Sequence, residues 1–144
     1  MRAPIASRGF TLIEMLVVLA LMSIAVGLAG FGLQRGLTSA ADRRAVGDMV
    51  EALRATRAHA IVTGQPAKTE FDLRQLTVKA PGRRMQHLPD RLQVILNTAA
   101  DLGATVEFYP DGGSSGGNLV VAGDAKRWRI DIAWLTGNIK VRTL

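Results

Sequence analysis

The sequence contains no cysteine, only two histidines, and few aromatic residues, which make up 5% of the chain. Without cysteine there is no disulfide scaffold, no thiolate zinc site and no cysteine nucleophile. His59 and His87 have no acidic cluster beside them, so each reads as a surface or hydrogen-bond-satisfied residue rather than a metal ligand. No phosphate loop or dinucleotide fingerprint occurs, so no nucleotide cofactor is implied. The compartment stays open, because exported proteins also exist without disulfides. What is present is a chain of 144 residues with 48% hydrophobic residues and 18 Lys+Arg against 12 Asp+Glu, a net charge of +6. That length suits one domain, and the apolar share excludes a disordered chain. The mildly positive mean hydropathy conceals an asymmetry between the first 34 residues and the rest. Composition therefore describes one anchored or processed globular domain.

From Met15 to Gln34 there is no charge, and Ser23 is the one polar residue inside the run. As a helix at about 1.5 Å per residue, this stretch spans a hydrocarbon core of roughly 30 Å. Arg2 and Arg8 stand ahead of it. One reading is a cleavable secretory signal, with small residues at Gly27-Leu28-Ala29 for cleavage. Glu14 argues against it. A carboxylate at the mouth of an apolar run is costly near lipid and needs a partner or a function. Arg35, Arg43 and Arg44 follow the run closely, so charge counting alone leaves the orientation ambiguous.

Beyond the run, Val46, Met49, Val50, Leu53, Ala60 and Ile61 recur at three- and four-residue spacing. They predict an amphipathic helix to about Val62, with Arg44/Asp48 and Glu51/Arg54 able to pair along it. Arg57 interrupts the stripe. Thr63-Gly64-Gln65-Pro66 ends the helix. Gly27, Gly30, Gly32 and Gly36 suit a helix that packs closely against others in lipid. From Ala67 onward the period becomes two. Strands are expected at 68–73, 76–80, 91–98, 105–109, 118–122, 127–133 and 139–142, about seven in all. The expected class is α+β: a long N-terminal transmembrane and amphipathic helix packed on an antiparallel sheet, each supplying the other's core. Trp128 and Trp134 have the same parity and are expected to share a buried face.

The segment Asp111-Gly112-Gly113-Ser114-Ser115-Gly116-Gly117 matches G-x-S-x-G twice. In hydrolases that motif opens a helix and is followed by a histidine base. Here a strand follows and both histidines come earlier, so serine hydrolysis is not expected. Asp111 alone does not supply the six to eight oxygen ligands of a calcium site, and no metal is expected. Lys126, Arg127, Lys140 and Arg142 suggest a basic patch on neighbouring hairpins. Acids are interspersed among the basic residues past Gly64, so a solvated sheet face is the simpler reading and nucleic acid is not an expected partner.

The text Arg8-Gly9-Phe10-Thr11-Leu12-Ile13-Glu14-Met15 resembles the processing site of type IV pilins and of the pseudopilins of type II secretion systems. Phe108-Tyr109-Pro110-Asp111 with its glycines, Arg127-Trp128-Arg129-Ile130-Asp131 and Leu135-Thr136-Gly137-Asn138-Ile139 together resemble the C-terminal domain of the H-type minor pseudopilin. The resemblance implies cleavage by a prepilin peptidase between Gly9 and Phe10, methylation of the Phe10 amine, and assembly directed by Glu14, with Thr11 facing the inner-membrane assembly platform. Asp111 to Gly117 then form a partner-contact loop toward other major and minor pseudopilins or secreted cargo. The implied layout is a leader at 1–9, a membrane segment at 10–34, a periplasmic helix at 35–63 and a periplasmic sheet domain at 64–144. Such a protein is a single-pass inner-membrane protein and a structural subunit near the tip of the secretion pseudopilus. The alternative within the same superfamily is a minor type IV pilin serving pilus assembly or DNA uptake.

Overall fold

The computed structural model describes residues 11–98 and 103–144, without the side chains of 31–35. It forms two compact units, one ending at Leu37 and the other running from Thr38 to Leu144. A single helix, α1 (Leu12–Thr63), contributes to both.

In the first unit, Thr11 caps α1. The Glu14 amide donates to the Thr11 carbonyl at 3.1 Å and to its Oγ1 at 3.3 Å, which satisfies a donor that the first turn leaves open. Leu12–Gly30 is long and apolar enough to cross a membrane, and none of it is buried within the protein. Ser23 Oγ donates to the Leu19 carbonyl at 2.8 Å, so the hydroxyl within this stretch finds its partner inside the helix.

In the second unit, α1 buries one stripe. Val46, Met49, Val50 and Leu53 lie in it as their spacing predicts, with Ala60 as its last buried residue. Ile61, expected on the same stripe, is exposed, because it lies one residue round the helix from Ala60 in the final turn. One of the expected helix pairs is redirected as well: Glu51 accepts from Arg83 Nη1 at 2.6 Å. Gly64, in the left-handed region at φ +67°, ends the helix.

Among the described residues eight strands follow: β1 (Ala67–Asp72), β2 (Thr77–Lys79), β3 (Gln86–His87), β4 (Gln93–Asn97), β5 (Thr105–Phe108), β6 (Gly117–Ala122), β7 (Arg127–Ile132) and β8 (Ile139–Thr143). The additional strand is β3, whose two residues carry no readable alternation. The strands form two four-stranded sheets rather than one, in orders β3-β2-β1-β5 and β4-β6-β7-β8, with every pairing antiparallel. The split arises because β5 returns to β1, pairing Ala67 with Phe108, while β4 passes over to β6, pairing Ile95 with Val120. Alternation along β1 turns Ala67, Thr69 and Phe71 inward, and along β7 it does the same for Trp128, Ile130 and Ile132. Both sheets and α1 share one apolar cluster that includes Met49, Leu53, Val106, Phe108, Leu119 and Ile130. The α+β class and the helix-on-sheet core stand as read from the sequence.

The two tryptophans do not share a face. Trp128 is 6% exposed in the core, whereas Trp134 is 70% exposed. β7 ends at Ile132, so the parity that governs a strand no longer applies at Trp134, which lies in the turn leading to β8.

Candidate functional site

Gly9 and Phe10 lie outside the described residues. Thr11 and Glu14 are side by side at the start of α1, both exposed, with the Thr11 hydroxyl engaged in the cap. The glutamate therefore presents its carboxylate in the first turn of a helix whose next residues are apolar and unburied. A carboxylate at a helix N-terminus is favoured by the helix dipole, and a cation at the same depth neutralises it further.

The Asp111–Gly117 segment is built into the second unit. Gly112, Gly113, Ser114 and Gly116 are buried, Ser115 and Gly117 are half-buried, and Asp111 is exposed. Ser114 forms a bridge with Phe108, and the Ser115 amide donates to the Glu107 carbonyl at 2.8 Å, which closes the outer edge of β5. On the other side, the Ser114 amide donates to the Trp134 carbonyl at 2.8 Å and its hydroxyl to the Ala133 carbonyl at 3.1 Å, beyond the end of β7. The loop therefore joins the edge of one sheet to the end of the other. Both serine hydroxyls are engaged with backbone: Ser114 Oγ also accepts from the Gly116 amide, and Ser115 Oγ from the Glu107 amide, each at 3.1 Å.

Arg57, the residue that interrupts the apolar stripe, ties this loop to the helix. Its Nε donates to the Gly112 carbonyl at 3.0 Å and its Nη2 to the Thr136 carbonyl at 3.1 Å. Gly137 is required here. Its φ is +60°, and a Cβ would collide with the Gly112 carbonyl oxygen and lie 2.7 Å from Arg57 Nε. Around the node, Tyr109, Pro110, Asp111, Trp134 and Leu135 are among the residues that remain exposed.

Two buried polar contacts escape the apolar pattern. Asp42 is 2% exposed and accepts from Arg91 Nη2 at 2.7 Å and Nε at 3.1 Å, while Arg91 Nη2 also reaches the Thr38 carbonyl at 3.2 Å. Thr69 of β1 donates to the Thr56 hydroxyl at 2.7 Å, which donates in turn to the Ala52 carbonyl at 2.9 Å. The signal for both lay in position. Asp42 and Thr56 fall at helical spacing on the buried stripe, where a polar residue needs a partner.

Titration is perturbed at one surface turn. Asp72 Oδ1 accepts from the Gln75 and Arg74 amides at 2.9 and 2.8 Å. These bonds, that of Gln75 foremost, hold its carboxyl below the ordinary aspartate value. Of the basic residues singled out in the sequence, Lys126 is exposed just before β7, and the others lie on an outer sheet face. Arg127, Arg129 and Arg142 are exposed on the outer face of β7 and β8 with Lys140, and Asp131 is the acid among them. Among the described residues no group of three or more His, Asp or Glu is placed to hold a metal ion.

Comparison with known proteins places this architecture. The chain matches the family model of the prokaryotic N-terminal methylation motif over residues 6–30 and that of type II transport protein GspH over residues 45–136. Type II secretion system protein H of Xanthomonas campestris pv. campestris is 37% identical over 139 residues, covering 92% of this chain and 82% of that protein. The Pseudomonas aeruginosa type IV minor pilin FimU is similar in fold, with a TM-score of 0.52 at 12% identity over 76% of this chain and 90% of that one. The minor pseudopilin EpsH from the type 2 secretion system of Vibrio cholerae has a TM-score of 0.52 at 15% identity, over 72% and 95% respectively. A methylation motif ahead of an unburied apolar helix, followed by a helix-backed pair of sheets, is the arrangement these matches describe, and the chain belongs to the GspH family of type II transport proteins.

Proposed function

We propose that the chain is a minor pseudopilin, a non-catalytic structural subunit near the tip of the type II secretion pseudopilus that supports export of folded proteins across the outer membrane. In this reading a prepilin peptidase removes residues 1–9, the Phe10 amine is methylated, and residues 10–34 hold the protein in the inner membrane. Residues 35–63 and 64–144 form the periplasmic domain. Thr11 meets the inner-membrane platform, and the exposed part of the Asp111–Gly117 loop meets other pseudopilins or cargo.

The observation that carries this reading is Glu14, an exposed carboxylate in the first turn of an apolar, unburied helix within a matched methylation motif. The Phe10 amine of the same or an adjoining subunit is a cation at that depth. Such a pair sets register more than it adds stability, because desolvation offsets much of its attraction. The shared fold with FimU supports a second reading, a minor type IV pilin acting in pilus assembly or DNA uptake.

The test is complementation of a deletion strain with Glu14→Ala. The expected variant is cleaved after Gly9, shown by mass analysis of its N-terminus, yet is absent from sheared filaments and fails to restore secretion. Normal secretion with Glu14→Ala would refute the assigned role. Loss of pilus function with intact secretion in the deletion strain would select the second reading.

A further inference from the structure

The two sheets differ in how their outer strands end. The free side of β5 is covered by the Asp111–Gly117 loop through Ser114 and Ser115. β8 is the last strand of its sheet and has no such cover among the described residues. Its ladder fixes which groups face outward. The Ala133 amide donates to the Asn138 carbonyl and the Leu144 amide to the Arg127 carbonyl, each at 2.9 Å, at the two ends of the β7–β8 pairing. Bonded pairs in an antiparallel ladder recur every second residue, so Lys140 and Arg142 bond back to β7, whereas the amides and carbonyls of Val141 and Thr143 point away from the sheet.

The two faces of this open edge differ in character. Val141 pairs with Ile130 and so lies on the core face, yet it is 43% exposed where Ile130 is buried. Lys140 and Arg142 lie on the outer face beside Arg129, and Asp131, 2.6 Å from Arg129 and 3.6 Å from Arg142, is the acid among them. An open groove of about 490 Å³ crosses this face. A second copy of β8 is a poor partner, since antiparallel pairing would set Lys140 and Arg142 against their own counterparts.

We propose that the β8 edge is a docking site for an extended segment of another protein in which acidic and apolar residues alternate, added antiparallel as a fifth strand. Its backbone bonds to Val141 and Thr143, its apolar side chains extend the core face beside Val141, and its carboxylates meet Lys140 and Arg142. The edge is a property of the sheet itself, and the proposal does not rest on the function proposed above.

The test uses the full chain in detergent micelles and a fluorescent, end-capped eight-residue peptide alternating glutamate and valine, with binding followed by anisotropy. Residues opposite Val141 direct their amides at β8, so N-methylation of the valine amides is expected to weaken binding tenfold or more. N-methylation of the glutamate amides, with equal charge and composition, leaves binding within twofold. Val141→Pro removes an outward amide that β7 does not use, so it is expected to cost tenfold in binding with an unchanged unfolding midpoint. If that variant misfolds, the two methylated peptides still decide on the unaltered chain. Equal effects of the two methylation patterns, or equal binding of a lysine–valine peptide, would overturn the proposal. A short DNA duplex that binds more tightly than the peptide and is indifferent to Val141→Pro would overturn it in favour of a nucleic-acid surface.

Discussion

Arg57 on α1 and Gly112 in the loop after β5 are joined by a 3.0 Å hydrogen bond, although they stand 55 residues apart in sequence. The same guanidinium holds Thr136 before β8, so one side chain fastens two loops to the helix. Loss of charge-assisted bonds to two carbonyls predicts that Arg57→Ala destabilises by about 2 kcal/mol. Arg57→Lys is expected to recover little, since one ammonium cannot reproduce a planar fork reaching both loops. Gly137→Ala should lose a similar amount by displacing the same contact, and the double variant should be less than additive. Unfolding of the full chain in micelles, followed by fluorescence of the buried Trp128, measures all of these.

Two long-range ion pairs of α1 should behave differently. Asp42 is buried, so Arg91→Ala strands a carboxylate and is expected to cost about 3 kcal/mol. Arg83 and Glu51 are both exposed, and Arg83→Ala should cost under about 1 kcal/mol despite a shorter contact of 2.6 Å. Adding salt should weaken the second pair more than the first.

Thr56→Val leaves the Thr69 hydroxyl buried without its acceptor, with an expected loss of about 1–3 kcal/mol. Thr56→Ser retains the relay to Ala52 and should lose less. Replacing both threonines by valine removes the polar pair together, and its denaturation midpoint should lie above that of Thr56→Val alone.

Asp72 binds its proton less readily in the folded chain than in the unfolded one, because its charged form accepts two amides. Its contribution is complete above the ordinary aspartate value and is lost as pH falls through the depressed folded value. A carboxyl-detected NMR titration should give Asp72 a midpoint below that ordinary value. Asp72→Ala should therefore lower stability at neutral pH and change it little below the depressed folded value, so that less stability is lost on acidification.

Much of this architecture was legible in order along the chain. The uncharged run at the N-terminus, the three- and four-residue spacing from Val46 to Leu53, the stop at Gly64 and the alternation of Trp128, Ile130 and Ile132 each depend on neighbours within a turn or a strand. The Thr11 cap on the Glu14 amide is equally local, but it enters only with the structure. The glycines after Pro110 are legible as a loop, but not as one buried within the domain.

Residue order alone thus determined an apolar helix long enough to cross a membrane, its buried stripe, and a run of short strands, because periodicity and turn chemistry act over a few residues. Only the tertiary structure decided that the strands divide into two sheets and that Trp134 stays outside while Trp128 goes in. The role of Arg57, an apparent flaw in the stripe, was likewise decided there as a clasp on two loops. Those outcomes rest on pairings between distant segments, and a hydrogen bond across 55 residues leaves no period in the sequence to read.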